Sequence, residues 1–207
     1  MRVDSFSIGV FGTNCYIIQN DELKEGVIVD PGGRSTKVVN YIKDQGIQIK
    51  AILLTHGHFD HMMGLDDFTA AFPVPVYIHE NERELIADPQ QNCSTMVCKG
   101  YTFTDVEYIK DHQILDLAGY QIEVIYTPGH TIGGCCYYIK DENVLFAGDT
   151  LFHESVGRTD FPTGSAATLI KSIKERLFCL PDETVVYPGH MSSTTIGYEK
   201  TNNPFLQ

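Results

Sequence analysis

The sequence feature that most constrains this chain is a cluster of metal-ligand side chains directly after a short apolar segment. Residues 51–54 are entirely apolar, which is typical of a strand buried on both faces of a sheet. They lead into Thr55-His56-Gly57-His58-Phe59-Asp60-His61, in which three histidines and one aspartate fall within six residues. The pattern predicts an α/β protein with a ligand cluster at the carboxyl end of an inner strand.

The same arrangement of a strand, a glycine and a ligand side chain recurs three times later in the chain. His130 ends the segment Thr-Pro-Gly-His, His190 ends Tyr-Pro-Gly-His, and Asp149 follows an apolar run and a glycine. Imidazole nitrogen and carboxylate oxygen are ligands of divalent metals such as zinc. Four candidate ligands within six residues are too crowded to bind one tetrahedral metal together with the ligands from distant segments. The sequence therefore predicts two neighbouring metals, held by His56, His58, Asp60, His61, His130, Asp149 and His190.

Hydrophobic periodicity predicts strands in both halves of the chain, with helices between them. The predicted strands are residues 14–18, 26–30, 51–54, 76–79, 113–117, 121–126, 135–139, 144–147 and, as the last strand, 184–187. The predicted helices are residues 36–45, 61–72, 80–87 and one capped by Ser165, whereas residues 89–104 form a surface loop. This order favours an α/β fold, an αββα sandwich of two mixed sheets with helices on the outer faces, over a doubly wound sheet. We expect residues 1–207 to form a single domain.

Charge and composition restrict the partners of the protein. The chain has 15 basic and 27 acidic residues, a formal net charge of −12, which argues against nucleic acids and anionic membranes as partners. We find no apolar run long enough to span a bilayer and no signal-peptide block at the N-terminus. The six cysteines form no C-x-x-C pair, as expected for reduced thiols. We therefore expect a cytoplasmic protein that acts on a small molecule, with its oligomeric state left open.

The ligand pattern resembles a known family. H-x-H-x-D-H, followed by Gly-His, Gly-Asp and a final Gly-His, is the signature of the metallo-β-lactamase fold, and the resemblance covers essentially the whole chain. The stretches 148–162 and 194–206 are similar to those of compact bacterial glyoxalase II-like hydrolases. The resemblance implies a member without the C-terminal helical domain of full glyoxalase II enzymes, which binds glutathione. The resemblance therefore does not imply specificity for glutathione in this chain.

The resemblance also implies how the ligands are shared. The first metal would be held by His56, His58 and His130, the second by Asp60, His61 and His190, with Asp149 bridging the two. Zinc is the expected metal, with iron or manganese as alternatives. The catalytic group would be a metal-bridging hydroxide, supported by the carboxylates of Asp60 and Asp149, that attacks the carbonyl carbon of a thioester such as an S-2-hydroxyacyl-glutathione.

Other residues and other reactions are open at this stage. Asp30, in the turn Asp-Pro-Gly-Gly, either orients a ligand histidine or has only a turn role. The candidate substrate-binding residues are Arg158, Phe152 and His153. The rival activity is that of a mononuclear iron persulfide dioxygenase, because residues 157–161 resemble a stretch of those enzymes. A lactonase or another ester hydrolase of the same fold is a further alternative.

Overall fold

The computed structural model describes residues 1–207, which form fourteen strands and six α-helices. The strands are β1 (Arg2–Ile8), β2 (Thr13–Asn20), β3 (Glu25–Val29), β4 (Gln48–Leu53), β5 (Val76–His79), β6 (Glu107–Ile109), β7 (Ile114–Leu117), β8 (Tyr120–Tyr126), β9 (Cys135–Ile139), β10 (Val144–Gly148), β11 (Leu151–Phe152), β12 (Ser155–Val156), β13 (Val185–Pro188) and β14 (Thr194–Thr195). The helices are α1 (Thr36–Asp44), α2 (Phe59–Met62), α3 (Leu65–Ala71), α4 (Arg83–Ala87), α5 (Ala166–Ser172) and α6 (Ile196–Asn202). None of the helices has the length and apolar character that a membrane span requires.

Two six-stranded sheets form the centre of the molecule. The first has the order β1-β2-β3-β4-β5-β6, antiparallel from β1 to β3 and parallel from β3 to β6. The second has the order β14-β13-β10-β9-β8-β7 and contains one parallel pair, β10 with β13. Both sheets are therefore mixed, as predicted.

The inner strands are buried on both faces, which explains their continuous apolar sequences. In β9, Cys135 and Tyr137 belong to a core cluster shared by the two sheets, whereas Cys136 and Tyr138 belong to a cluster shared with helices α5 and α6. A third cluster joins the outer face of the first sheet to helices α1–α4. Three apolar layers between two sheets and two sets of helices confirm the αββα sandwich.

The structure corrects the prediction of one helix over residues 61–72. The chain forms α2 and then α3, with a break at Met63 and Gly64. Gly64 packs so closely on the turn after β3 that an added Cβ would lie 2.5 Å from the carbonyl oxygens of Pro31 and Gly33. This contact with a distant turn bends the chain, and helical periodicity alone does not reveal it.

Six further elements were not predicted. The predicted last strand is followed by β14 and α6, β1 and β6 add the two edge strands of the first sheet, and β11 and β12 form a separate two-stranded sheet. Residues 89–104 are largely irregular, as predicted, but are anchored in the interior. The buried Asn92 and Ser94 both donate hydrogen bonds to the carbonyl oxygen of Tyr101, at 2.8 and 3.1 Å.

Candidate metal centre

The seven predicted ligands meet at one edge of the two sheets, because each follows or closely follows the carboxyl end of an inner strand. His56 and His58 lie between β4 and α2, and His61 lies within α2. The remaining elements that supply ligands are α2 for Asp60, the turn after β8 for His130, the turn after β10 for Asp149 and the turn after β13 for His190. Four chain segments thus converge on one site.

The ligand atoms are spaced as a metal requires. His56, His58 and His130 form one group, and Asp60, His61 and His190 form another, each with one ligand atom per residue within 4.8 Å of the others. Two ligands of a tetrahedral zinc ion lie roughly 3.3 Å apart. Two observed separations are close to this value, with 2.9 Å between Nδ1 of His58 and Nε2 of His130 and 3.3 Å between Nε2 of His190 and Oδ2 of Asp60.

Asp149 lies between the two groups. Its Oδ1 is 3.3 Å from Nε2 of His61, and its Oδ2 is 3.6 Å from Nε2 of His130 and 3.7 Å from Nε2 of His190. One carboxylate therefore reaches nitrogen atoms of both groups and would be available to a metal held by either.

Unsatisfied polar atoms show that the site fits a cation. The buried Nε2 atoms of His56 and His61 have no hydrogen-bond partner, and neither does Oδ1 of Asp149. Buried polar atoms in proteins are normally paired, so a cluster of three unpaired ones requires an explanation. Gly189 leaves the space open, because its added Cβ would meet Oδ1 of Asp149 and would lie 2.6 Å from Cε1 of His61.

Burial and charge set the protonation of the histidines. Burial and the neighbouring His130 lower the pKa of His58 to about 3, so its ring is neutral and keeps a lone pair at pH 7. Burial alone lowers the pKa of His61, but the carboxylates of Asp149 and Asp30 outweigh it and raise this pKa well above its usual range. Metal binding by His61 therefore releases a proton.

Asp30 connects the ligand cluster to the end of β4. Its Oδ1 accepts a hydrogen bond from the backbone N–H of Thr55 at 2.8 Å, and its Oδ2 accepts one from the Thr55 hydroxyl at 2.7 Å. The same Oδ2 lies 2.9 Å from Nδ1 of His61. A proton on Nδ1 leaves Nε2, the nitrogen that faces Asp149, free to bind a metal.

Sequence reasoning missed two groups that support the ligand loops. Glu82 is fully buried and accepts hydrogen bonds from the backbone N–H of Gly57 at 2.7 Å and of Gly133 at 2.6 Å. It thereby ties the loop of His56 and His58 to the loop of His130. No motif marks Glu82, because its role depends on two segments that are distant in sequence.

The second missed group is a backbone carbonyl. The carbonyl oxygen of Arg158 lies 2.7 Å from Nδ1 of His130. A proton donated along this contact leaves Nε2 of His130 for a metal. Sequence patterns do not mark a backbone acceptor, since any residue offers one.

The cleft above the ligands has a volume of about 390 Å³. Its lining includes Phe152 and Arg158, two of the three predicted substrate-binding residues, together with Phe161. The third, His153, is not part of this lining, because its ring stacks on Tyr198 with centroids 5.1 Å apart. His153 lies in the turn between β11 and β12, outside the strand that carries Phe152.

The comparison with known families agrees with this geometry. The sequence model of the metallo-beta-lactamase superfamily matches residues 8–190. The chain belongs to this superfamily. It is 39% identical to a Bacillus subtilis protein named probable metallo-hydrolase YqgX, covering 100% of this chain and 98% of that protein. It is also 35% identical to hydroxyacylglutathione hydrolase GloC of Haemophilus influenzae, with the same coverage.

Solved structures show the same architecture. BLEG-1, described as a B3 metallo-beta-lactamase, superposes with a TM-score of 0.93 and 38% identity over 100% of both chains. TTHA1623, crystallised in a di-iron-bound form, superposes with a TM-score of 0.86 and 32% identity over 98% of this chain and 100% of that one. The protein is thus a metallo-hydrolase of this superfamily with a histidine-rich metal site.

Proposed function

We propose that the protein is a dinuclear thioester hydrolase of the glyoxalase II type. The observation that carries this proposal is the complete second ligand group of Asp60, His61 and His190 beside the first group. An enzyme with one iron atom needs only the first group and Asp149, whereas a hydrolase with two metals uses both. The similarity to GloC supports the same reaction class.

The residues divide between two metals in this proposal. His56, His58 and His130 hold one ion, Asp60, His61 and His190 hold the other, and Asp149 contacts both. Two divalent ions, zinc being our choice, supply an activated water and a Lewis acid for the carbonyl oxygen when bound. The di-iron form of TTHA1623 supports two occupied positions in a chain of this type.

The surrounding protein suits a thioester better than an amide. A thiol has a pKa of about 8.5, so it leaves as a thiolate with little help from a general acid. The cleft contains two carboxylates, Asp60 and Asp149, and both belong to the proposed ligand set, so neither is free to act as a general acid. Phe152 and Arg158 lie beside this set, where they contact a substrate in our proposal.

Metal analysis and turnover test the proposal together. Protein purified from its host is analysed for zinc, iron and manganese, and S-acyl thiols of several kinds are assayed for hydrolysis in the absence of oxygen. We expect two metals per chain and anaerobic thioester cleavage. Less than one metal per chain with no hydrolysis would refute the proposal. One iron per chain with oxygen uptake on glutathione persulfide would establish the dioxygenase instead.

A further inference from the structure

The walls of the metal cleft are made of large apolar side chains from distant parts of the chain. Phe11 comes from the loop between β1 and β2, Met96 from the anchored segment 89–104, and Met191 from the turn after His190. These three side chains are 54%, 62% and 57% exposed. Single exposed apolar residues are common, but several around one cleft indicate a binding surface.

Aromatic rings extend this surface down to the proposed metal ligands. Phe161 packs edge-on against His58 with ring centroids 5.5 Å apart, and Phe152 packs edge-on against His190 at 6.3 Å. The apolar wall therefore extends to the proposed metal ligands.

The backbone at Met191 is held in a costly conformation that keeps its side chain at the cleft. Its φ angle is +69°, in the left-handed region that a residue with a long side chain rarely adopts. The side-chain amide of Asn14 donates a hydrogen bond to the Met191 carbonyl oxygen at 2.9 Å and fixes this turn. Strained positions of this kind are found at functional sites.

The one arginine side chain of the cleft is already paired with a carboxylate. Arg158 is the one lysine or arginine side chain in the lining, and it forms two hydrogen bonds with Asp160, at 2.8 and 2.7 Å. Its guanidinium also stacks on Phe161, 3.8 Å from the ring centroid. The walls of the cleft therefore present no unpaired lysine or arginine side chain to the carboxylates or phosphates of a carrier thiol.

We propose that this cleft selects its substrate by an apolar acyl chain and leaves the carrier thiol in solvent. The inference rests on the proposed thioester hydrolysis and names the substrate class. Common biological carrier thiols, such as glutathione and coenzyme A, are charged, so the apolar part of a thioester is its acyl group. A volume of about 390 Å³ lies near the lower end of the roughly 300–1,000 Å³ found for small-molecule sites, which suits a short or medium chain.

The test varies the two parts of the substrate separately. With N-acetylcysteamine as the fixed thiol, acyl chains of two to eight carbons are compared by kcat/KM. We expect a rise of about fourfold for each methylene that becomes buried, until the cleft is full. With a fixed hexanoyl group, glutathione and N-acetylcysteamine thioesters should differ by less than threefold. Preference for S-lactoylglutathione over the hexanoyl thioesters would overturn the inference.

Variants locate the effect in the cleft. Met191→Ser and Phe11→Ser should each flatten the dependence of kcat/KM on chain length. Leu23→Ser is the matched control, because Leu23 is 55% exposed but lies in the turn before β3, at the far end of this strand from Asp30. An unchanged chain-length profile in both cleft variants would contradict the proposal.

A binding measurement separates this inference from the proposed function. Straight-chain carboxylates from acetate to octanoate are titrated into the zinc-loaded protein by calorimetry. Affinity that rises with chain length, without hydrolysis of any thioester, would support the apolar cleft and refute the thioesterase. Hydrolysis of thioesters without chain-length dependence in either assay would support the thioesterase and refute the apolar cleft.

Discussion

Replacement of Asp30 by Asn tests how the protein prepares His61 for a metal. Asp30 has a φ angle of +49°, a conformation that asparagine tolerates well, so the backbone should be retained. The carboxylate contacts three groups, namely the Thr55 N–H, the Thr55 hydroxyl and Nδ1 of His61. If the side-chain oxygen of the asparagine still accepts the hydrogen bond from the Thr55 N–H, its NH₂ group faces Nδ1 of His61.

The magnitude follows from this reversal of a hydrogen bond. An NH₂ group facing Nδ1 favours the tautomer that carries its proton on Nε2, the nitrogen near Asp149 that the metal needs. Changes of this kind weaken metal binding by about 10–100-fold, which corresponds to about 1.4–2.7 kcal/mol. Loss of a charge-assisted hydrogen bond also lowers the free energy of unfolding of the metal-free protein by about 1.5–3 kcal/mol.

The assay is a zinc titration against a chelating dye, with urea unfolding of the metal-free protein in parallel. Glu199→Gln is the matched control, because Glu199 is also a fully buried carboxylate and accepts hydrogen bonds from Thr194 and Asn203 away from the metal ligands. We expect both variants to lose stability but only Asp30→Asn to lose zinc affinity. Two zinc ions bound by Asp30→Asn with the affinity of the unmodified protein would refute the tautomer argument.

Four further predictions concern the ligand loops, the metals and the core. Gly189→Ala should abolish binding of both metals, since its methyl group would occupy the space between Asp149 and His61; normal metal content by elemental analysis would contradict this. Glu82→Gln should weaken zinc binding about tenfold, because Gln cannot accept from both Gly57 and Gly133, and the same dye titration measures it. Zinc at 100 times its dissociation constant should raise the free energy of unfolding by about 2.7 kcal/mol for each occupied site, about 5.4 kcal/mol for two, measured with and without EDTA. Leu169→Ala should lower the free energy of unfolding of the metal-free protein by about 2–5 kcal/mol, because Leu169 is fully buried under the second sheet. A smaller decrease, measured by urea unfolding, would show that neighbouring side chains fill the cavity.

Local sequence patterns were sufficient to predict the main elements of the fold. The apolar runs that became β4, β9 and β10 are continuous because each strand is covered on both faces, and this pattern favours a layered α/β structure. Ser165 was predicted to cap a helix, and its hydroxyl accepts a hydrogen bond from the N–H of Thr168. Both signals involve residues within one element, so they can be read without knowledge of the rest of the chain.

Elements that depend on distant contacts were not predicted. The break between α2 and α3 arises where Gly64 packs on the turn at Pro31, which lies 33 residues earlier in the sequence (64 − 31) but is adjacent in space. The pairing of β14 with β13 and the docking of α6 against the second sheet likewise depend on partners outside the segment itself. Short edge strands have no hydrophobic period of their own to reveal them.

The sequence alone determined the chemistry of the site, because histidine and aspartate side chains beside glycine-containing turns are suited to divalent metals in any fold. Tertiary structure decided which ligands share a group, through distances between residues as far apart as His58 and His130. It also decided that Asp149 reaches both groups, that Asp30 contacts His61, and that apolar side chains from three loops surround the cleft. Ligand chemistry is a property of single residues, whereas these arrangements exist only after the two sheets bring the carboxyl ends of their strands together.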